Sequence, residues 1–183
     1  MQTSLLTRLP SMTLAVMLTL VVAQGLVFSP EAHAAGGGKL EGTWLMEVTI
    51  VNCTTGAPLP IPGNPFPALH TYMRNGMMLR TGAPPPPAPP STAVALSTAH
   101  GIWEHMGGQT FRERFRFFSF NAAGVHVSTS EITVERSLIQ GNNAETDEII
   151  GAGTGKFFTP TGMLVGEGCT EDRGRRVAFE EEE

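Results

Sequence analysis

Turn-forming residues recur at short intervals through the second half of this chain, and the segments between them have the composition of β-strands. The turns are expected at 107–108, 121–124, 141–143, 160–162 and 172–174. The intervening segments cover 98–106, 109–120, 125–140, 144–159, 163–171 and 175–179. None shows the 3.6-residue period of an amphipathic helix. Short links between long consecutive strands predict an antiparallel up-and-down meander.

Three earlier segments also have strand patterns. Segment 43–51 alternates apolar and polar residues, which predicts one buried face formed by Trp44, Met46, Val48 and Ile50. Segments 68–74 and 77–81 flank Asn75-Gly76, a pair that tolerates positive φ and predicts a two-residue hairpin turn. The fold class is therefore all-β with eight or nine strands. Such a meander removes its exposed edges by closing into a barrel, and a sandwich is the alternative.

The first 34 residues have the pattern of a secretory signal peptide. Arg8 precedes an apolar run over 12–28, and Ala32-His33-Ala34 matches a small-x-small cleavage site. We therefore expect an exported protein, periplasmic or extracellular, after cleavage near Ala34. The alternative is an N-terminal membrane anchor, for which this run is short. Residues 35–41 are interpreted as a flexible leader, 42–179 as one barrel domain and 180–183 as an acidic tail.

Two proline-rich segments interrupt the strands at 54–67 and 83–90. Proline removes a backbone donor and is excluded from central strands, so both segments are interpreted as loops, the second one in polyproline II conformation. The second segment also has the composition of a docking motif for a proline-reading partner. Because modules of that kind are mainly intracellular, a rigid surface loop is the favoured interpretation for an exported chain.

The chain contains two cysteines, Cys53 and Cys169. An even count in an exported protein favours one disulfide between them, which would close a loop of more than a hundred residues. Separate buried thiols are the alternative. A zinc site is disfavoured, because cysteines this far apart bring no adjacent histidine to complete a ligand set.

Charge and motifs exclude several function classes. The net charge of −5 comes largely from the four glutamates 180–183, so no basic surplus indicates nucleic acid. Segment 151–156 resembles a phosphate loop but lacks its glycine and hydroxyl spacing, and alternate glycines that make room for large neighbours explain it better. On a strand, His100 and Glu104 share a face but lie too far apart for one metal ion. We expect no metal, cofactor or catalytic triad.

The segment most suggestive of a ligand wall is 111–120, in which arginines alternate with aromatic residues and Glu113. A bulge near Phe117-Phe118 would return Phe118 and Phe120 to the aromatic face. A two-residue turn at Gly107-Gly108 would place Ile102 opposite Glu113, with Trp103 exposed beside Arg112. Glu113 would then point inward as a polar anchor. The candidate pocket residues are Tyr72, His100, Glu113, Phe115 and Phe117.

Gly42-Thr43-Trp44 resembles the Gly-x-Trp signature of lipocalins and their calycin relatives. The resemblance implies an eight-stranded barrel in which Trp44 plugs one end and a basic residue of the last strand, Arg175 or Arg176, packs across its ring. Segment 115–127 also resembles a hairpin of allene oxide cyclase-like barrels.

Three functions follow as hypotheses from this barrel. The first is an exported barrel that binds a small apolar molecule, the second a barrel-type cyclase or isomerase, and the third a filled barrel that acts through its surface. The barrel interior distinguishes them. An open apolar cavity favours the first function, converging polar groups favour the second, and a solid core favours the third.

Overall fold

The strands of this protein follow one another along the chain as a meander. The structure is a computed structural model, and it describes residues 40–83, 93–142 and 147–178. Within these residues there are nine strands and no helix: β1 (Gly42–Val51), β2 (Phe66–Tyr72), β3 (Met77–Gly82), β4 (Ala95–Leu96), β5 (Ala99–Gly107), β6 (Thr110–Phe120), β7 (His126–Ile139), β8 (Glu148–Phe158) and β9 (Leu164–Arg176). No helix in this part of the chain is long and apolar enough to cross a membrane.

Eight of the strands close into an antiparallel barrel, and this confirms the predicted fold class. The strand order is β1-β2-β3-β5-β6-β7-β8-β9, and β9 pairs again with β1. The short strand β4 adds to β6, with Ala95 opposite Phe120. Closure leaves no free sheet edge around the ring, so each long strand has ladder partners on both sides.

Strand alternation decides which side chains fill the barrel. In β1 the residues Trp44, Met46 and Val48 are buried while Leu45 and Glu47 are exposed, as the sequence pattern predicts. The same two-residue period buries Phe111, Glu113, Phe115, Phe117 and Ser119 in β6. The arginines of β6 therefore face solvent, where they pair with Glu104 and Glu131.

The hairpin between β5 and β6 differs from the sequence expectation by one residue. Gly107 pairs with Thr110, and the register shifts between His105 and Gly107, so Trp103 lies opposite Glu113. A slip of one residue exchanges the two faces of a strand. The prediction that Trp103 is exposed is therefore wrong: its side chain is buried, and its Nε1 donates to the carbonyl of Met73 at 3.0 Å.

Three further predictions of local structure are wrong. No bulge returns Phe118 inward, because the β6–β7 register runs unbroken to Ser119, and Phe118 is exposed. Residues 172–174 do not form a turn but lie within strand β9, where Gly174 leaves room for the side chain of Met46. The β2–β3 hairpin exists, but the four residues 73–76 connect its strands: Gly76 has φ of 78° and donates to the carbonyl of Met73, while Asn75 keeps negative φ.

The two ends of the barrel are built differently. At one end Trp44 is fully buried, and its Nε1 donates to the carbonyl of Leu40 at 2.9 Å. At the other end Cys53 is bonded to Cys169 of β9, and this confirms the predicted disulfide. Loop 52–65 folds back over this end, since Asn64 exchanges hydrogen bonds with the backbone of Ile50.

Several sequence predictions lie outside the described residues. They concern the signal peptide at 1–34, the leader up to residue 39, residues 84–90 of the second proline-rich segment, and the acidic tail. The first proline-rich segment, predicted as a loop over 54–67, is a loop as far as Pro65, and Pro67 belongs to β2, where it pairs with Glu47.

Candidate functional site

Six polar or charged side chains meet inside the barrel among its apolar residues. Each occupies an inward position of its strand, and each is at least 92% buried by the accessible surface of the residue: His70, Tyr72, Arg80, Glu113, Arg136 and Asp172. They come from β2, β3, β6, β7 and β9, so residues far apart in sequence converge only because the barrel closes.

Arg136 is the centre of this polar cluster. Its Nη2 donates to Glu113 Oε1 at 2.6 Å and to Asp172 Oδ2 at 3.0 Å, and its Nη1 donates to Asp172 Oδ1. The guanidinium thus binds the Asp172 carboxylate with two parallel hydrogen bonds. This two-bond geometry fixes the orientation of the pair and also strengthens it. Both core carboxylates thus accept hydrogen bonds from this one cation, and the second positive charge of the cluster is that of Arg80.

Tyr72 and His70 complete the cluster on the β2 side. Tyr72 Oη donates to Glu113 Oε2 at 2.6 Å, so both oxygens of Glu113 accept a hydrogen bond. His70 Nδ1 lies 3.4 Å from Arg136 Nη2. The same nitrogen lies 3.4 Å from Tyr72 Oη and 3.7 Å from Glu113 Oε1. The other ring nitrogen, Nε2, is buried and has no hydrogen-bond partner among the described residues.

The protonation states of the cluster follow from burial and from its charges. Burial alone raises the pKa of Glu113, but the charge of Arg136 and its hydrogen bond outweigh burial and hold this pKa well below its usual range. Burial lowers the pKa of His70 and raises that of Tyr72. At neutral pH the cluster therefore contains a carboxylate at Glu113, a neutral imidazole and a neutral phenol.

Arg80 differs from Arg136 in its partners. Its guanidinium carbon lies 5.4 Å from the ring centroid of Phe117 and 5.9 Å from those of Phe66 and Phe115. No hydrogen bond or ion pair to this guanidinium occurs among the described residues. Burial lowers the pKa of Arg80 to about 10, which still leaves it charged at neutral pH. Glu113 and Asp172 stabilise this charge from a distance, but a buried cation without a hydrogen-bonded anion is unusual, because burial of a charge is costly unless it is paired.

A cavity of about 90 Å³ opens beside Arg80 and His70. Most of its wall is apolar, and Asp172 and Thr170 are the other polar side chains on it. The apolar part of the wall includes Val48, Ile50, Phe66, Phe115, Phe117, Ile132, Val134 and Phe157. Cys169 also lines it, so the cavity lies toward the end of the barrel that carries the disulfide.

Strand β8 makes room for the polar cluster by carrying glycine at successive inward positions. A Cβ atom added at Gly151 would lie 2.6 Å from Asp172 Oδ1 and 3.0 Å from Arg136 Nη1. At Gly155 it would lie 2.7 Å from Ile132 Cδ1. The glycine-rich segment 151–156 therefore serves packing inside the barrel, in agreement with the interpretation preferred over a phosphate loop.

The structure brings most of the candidate pocket residues to the barrel interior. Phe115 and Phe117 line the cavity, and Tyr72 and Glu113 belong to the polar cluster. His100 does not join them: it is exposed on the outer face opposite Arg116, because the β5–β6 register differs by one residue from the expected one. Its selection as a pocket residue is wrong.

Of the two arginines considered for the barrel plug, Arg176 is the one that reaches Trp44. Its guanidinium carbon lies 4.3 Å from the Trp44 ring centroid, and its Nη1 donates to the carbonyl of Glu41. Arg175, which is next to it on β9, is exposed. Residues 172, 174 and 176 share the inward face, and this alternation places Arg176 inside and Arg175 outside.

Sequence reasoning did not find His70, Arg80, Arg136 or Asp172. A signal was nevertheless present, because each stands at the inward phase of a strand whose other inward residues are mostly apolar or glycine. In β7, for example, Arg136 takes its place in the series Ile132, Val134, Arg136 and Leu138. A charged residue in that phase needs a buried partner, and the partner's identity depends on strand neighbours that sequence does not specify.

Comparisons with protein-family models, with curated proteins and with solved structures produced no match for this chain. The described residues also contain no group of three or more His, Cys, Asp or Glu side chains placed to hold a metal ion. The class of molecule is thus defined by the fold and the interior: a closed antiparallel β-barrel with one disulfide, a buried polar cluster and a small cavity.

Proposed function

We propose that this protein binds a small, mainly apolar molecule inside its barrel. The observation that carries the proposal is the cavity of about 90 Å³, which is walled by aliphatic and aromatic side chains and has few polar groups at one side. Binding sites for small molecules combine an apolar wall with a few placed polar groups in this way. The small volume favours a ligand of only a few heavy atoms.

The polar cluster supports a binding role over the alternative of a cyclase or isomerase. A general base at neutral pH needs a pKa near the working pH and an available lone pair. Glu113 fits this role poorly, because its pKa is held low and each of its oxygens already accepts a strong hydrogen bond. Tyr72 is committed to Glu113 and its pKa is raised, so it is also a poor acid at neutral pH.

Export and kinship with lipocalins are further parts of the proposal. The Cys53–Cys169 disulfide supports an oxidising compartment, and this agrees with the signal peptide expected from the sequence. The Gly42-Thr43-Trp44 motif and the closed eight-strand barrel support a lipocalin-like family. Native mass spectrometry of protein purified from its own cell envelope reports a bound molecule and the mature N-terminus, which we expect within a few residues of Ala35.

Binding inside the barrel is tested by titration with 1-butanol, followed in ¹H–¹⁵N correlation spectra. We expect saturable shifts confined to residues around the cavity, such as Phe115, Phe117 and Ile132. In the variant Gly168→Leu the new side chain enters the cavity, since a Cβ there already lies 3.4 Å from the Phe157 ring, and the shifts should vanish. The matched control is Glu167→Leu, which adds the same side chain to the outer face of β9.

Shifts that persist in folded Gly168→Leu would place the alcohol elsewhere and contradict the proposal. An absence of saturable shifts in the wild-type protein would also contradict it, and would favour a filled barrel that acts through its outer surface.

A further inference from the structure

The two cations of the polar cluster are not equivalent, and the difference is informative about the ligand. Arg136 donates hydrogen bonds to both core carboxylates, Glu113 and Asp172. Arg80 has aromatic faces around it and no carboxylate within ion-pair distance among the described residues. Glu113 and Asp172 stabilise its charge only from a distance, so this guanidinium lacks a hydrogen-bonded anion.

The cavity gives an anion room beside Arg80. Its other polar side chains are those of His70, Thr170 and Asp172, and among the described residues none of them is hydrogen-bonded to Arg80. The cavity therefore presents a guanidinium fork without a hydrogen-bond partner.

We propose that the ligand of this cavity is a short-chain monocarboxylate, held by Arg80 through its carboxylate and by the apolar wall through its hydrocarbon tail. The inference rests on the proposed function, which it makes more specific. A planar carboxylate matches the guanidinium fork with two parallel hydrogen bonds. It also gives Arg80 a hydrogen-bonded anion, which Glu113 and Asp172 do not provide because they are bound to Arg136.

The size and lining of the cavity limit the length of the tail. Pockets for drug-sized ligands measure roughly 300–1,000 Å³, and this cavity of about 90 Å³ is well below that range. We therefore expect the best fit for acids of about three to five carbons. Aliphatic side chains such as Val48, Ile50, Ile132 and Val134 supply the wall that would contact such a tail.

The test compares sodium butyrate with 1-butanol by the same spectroscopic titration, at constant ionic strength and pH 7. We expect butyrate to bind at least tenfold more tightly than butanol, with shifts around the same cavity. In Arg80→Met, which keeps a long apolar side chain, this advantage should disappear while butanol affinity stays within twofold. The exposed Arg114→Met is the control and should retain the full advantage of butyrate.

Each outcome has a distinct meaning. If butanol binds in the cavity and butyrate binds no better, the carboxylate inference is overturned and the binding function stands. If neither binds, both fail. Should Arg80→Met not fold, Arg80→Lys decides, since it keeps the charge but not the fork: we expect a loss of at least threefold in butyrate affinity with butanol unchanged. Unchanged affinity for both ligands in Arg80→Lys would argue against the two-bond geometry and overturn the assignment to the Arg80 fork.

Discussion

At the scale of single residues, Arg136 contributes most to the order of the barrel interior. It forms hydrogen bonds with Glu113 and Asp172, and these carboxylates come from β6 and β9, on either side of β7 and β8 in the barrel. Without this cation, two carboxylates would lie buried in an apolar interior. The cluster thereby favours the one strand arrangement in which the three charges meet.

Arg136→Met should lower the free energy of unfolding by about 3–5 kcal/mol, because it leaves buried carboxylates without a counter-ion. Urea denaturation followed by circular dichroism measures the change. The control is Arg112→Met, which removes a solvent-exposed ion pair with Glu104 and should cost no more than about 1 kcal/mol. Equal losses in the two variants would show that the buried pairs contribute no more than the exposed one.

At the scale of elements, β8 and β9 show how glycine enables a polar interior. Inward glycines at 151, 153 and 155 leave space that large side chains of the neighbouring strands fill. Gly174 on β9 has the same role beneath Met46. In the sequence these glycines resemble those of turns and loops, although they lie in the middle of long strands.

Gly151→Ala should destabilise the protein by about 1–3 kcal/mol, because its methyl group would displace Asp172 or Arg136 from their shared hydrogen bonds. Thermal or urea unfolding reports the loss. Gly166→Ala on β9 is the matched control: an added Cβ there has no neighbouring atom within 4 Å, so the change should be neutral or stabilising by up to about 1 kcal/mol. A neutral Gly151→Ala would show that the core can shift to accept the methyl group.

At the scale of the whole molecule, the barrel is closed by different means at its two ends. The Trp44 and Arg176 contact fills one end, and the Cys53–Cys169 bond ties loop 52–65 to β9 at the other. The cysteines are 116 residues apart, so the chain-entropy model gives the bond about 4–5 kcal/mol of stabilisation. The cavity lies toward the disulfide end, which leaves the polar cluster between it and the plug.

The stability of the whole barrel should depend on pH through His70. The lowered pKa of this residue in the folded state means that the unfolded chain takes up its proton first. The contribution of neutral His70 to the free energy of unfolding is therefore complete above the ordinary histidine pKa of 6.5, and it is lost as the pH falls below that pKa. We expect the free energy of unfolding to fall between pH 7 and 5 with a slope approaching about 1.4 kcal/mol per pH unit.

Urea titrations at a series of pH values measure that slope. His70→Gln removes the titrating group and should flatten the slope over this range, whereas the exposed His100→Gln should leave it unchanged. Below the ordinary glutamate pKa of 4.5, the free energy of unfolding of both variants should fall further. The pKa of Glu113 is lowered in the folded state, so this carboxylate takes up a proton when the chain unfolds. A slope that survives in His70→Gln would assign the proton uptake to another group.

The sequence by itself determined the all-β class, the meander, the inward face of β1 and the pairing of its two cysteines. These features depend on local alternation, on turn residues and on a count, all of which can be read along the chain. The inward position of Glu113 was also predicted, although from a hairpin register that differs from the observed one by one residue. The glycines of β8 were also interpretable, because a phosphate loop requires a spacing that the segment lacks.

Only the tertiary structure decided what Glu113 contacts, which arginine reaches Trp44 and whether His100 faces the interior. Each of these depends on register, and a shift of one residue exchanges the two faces of a strand. The bulge between His105 and Gly107 moved His100 outward and Trp103 inward in this way. The partners of Arg136 and the position of Arg80 beside the cavity depend on contacts between distant strands. Such contacts arise only when the barrel closes.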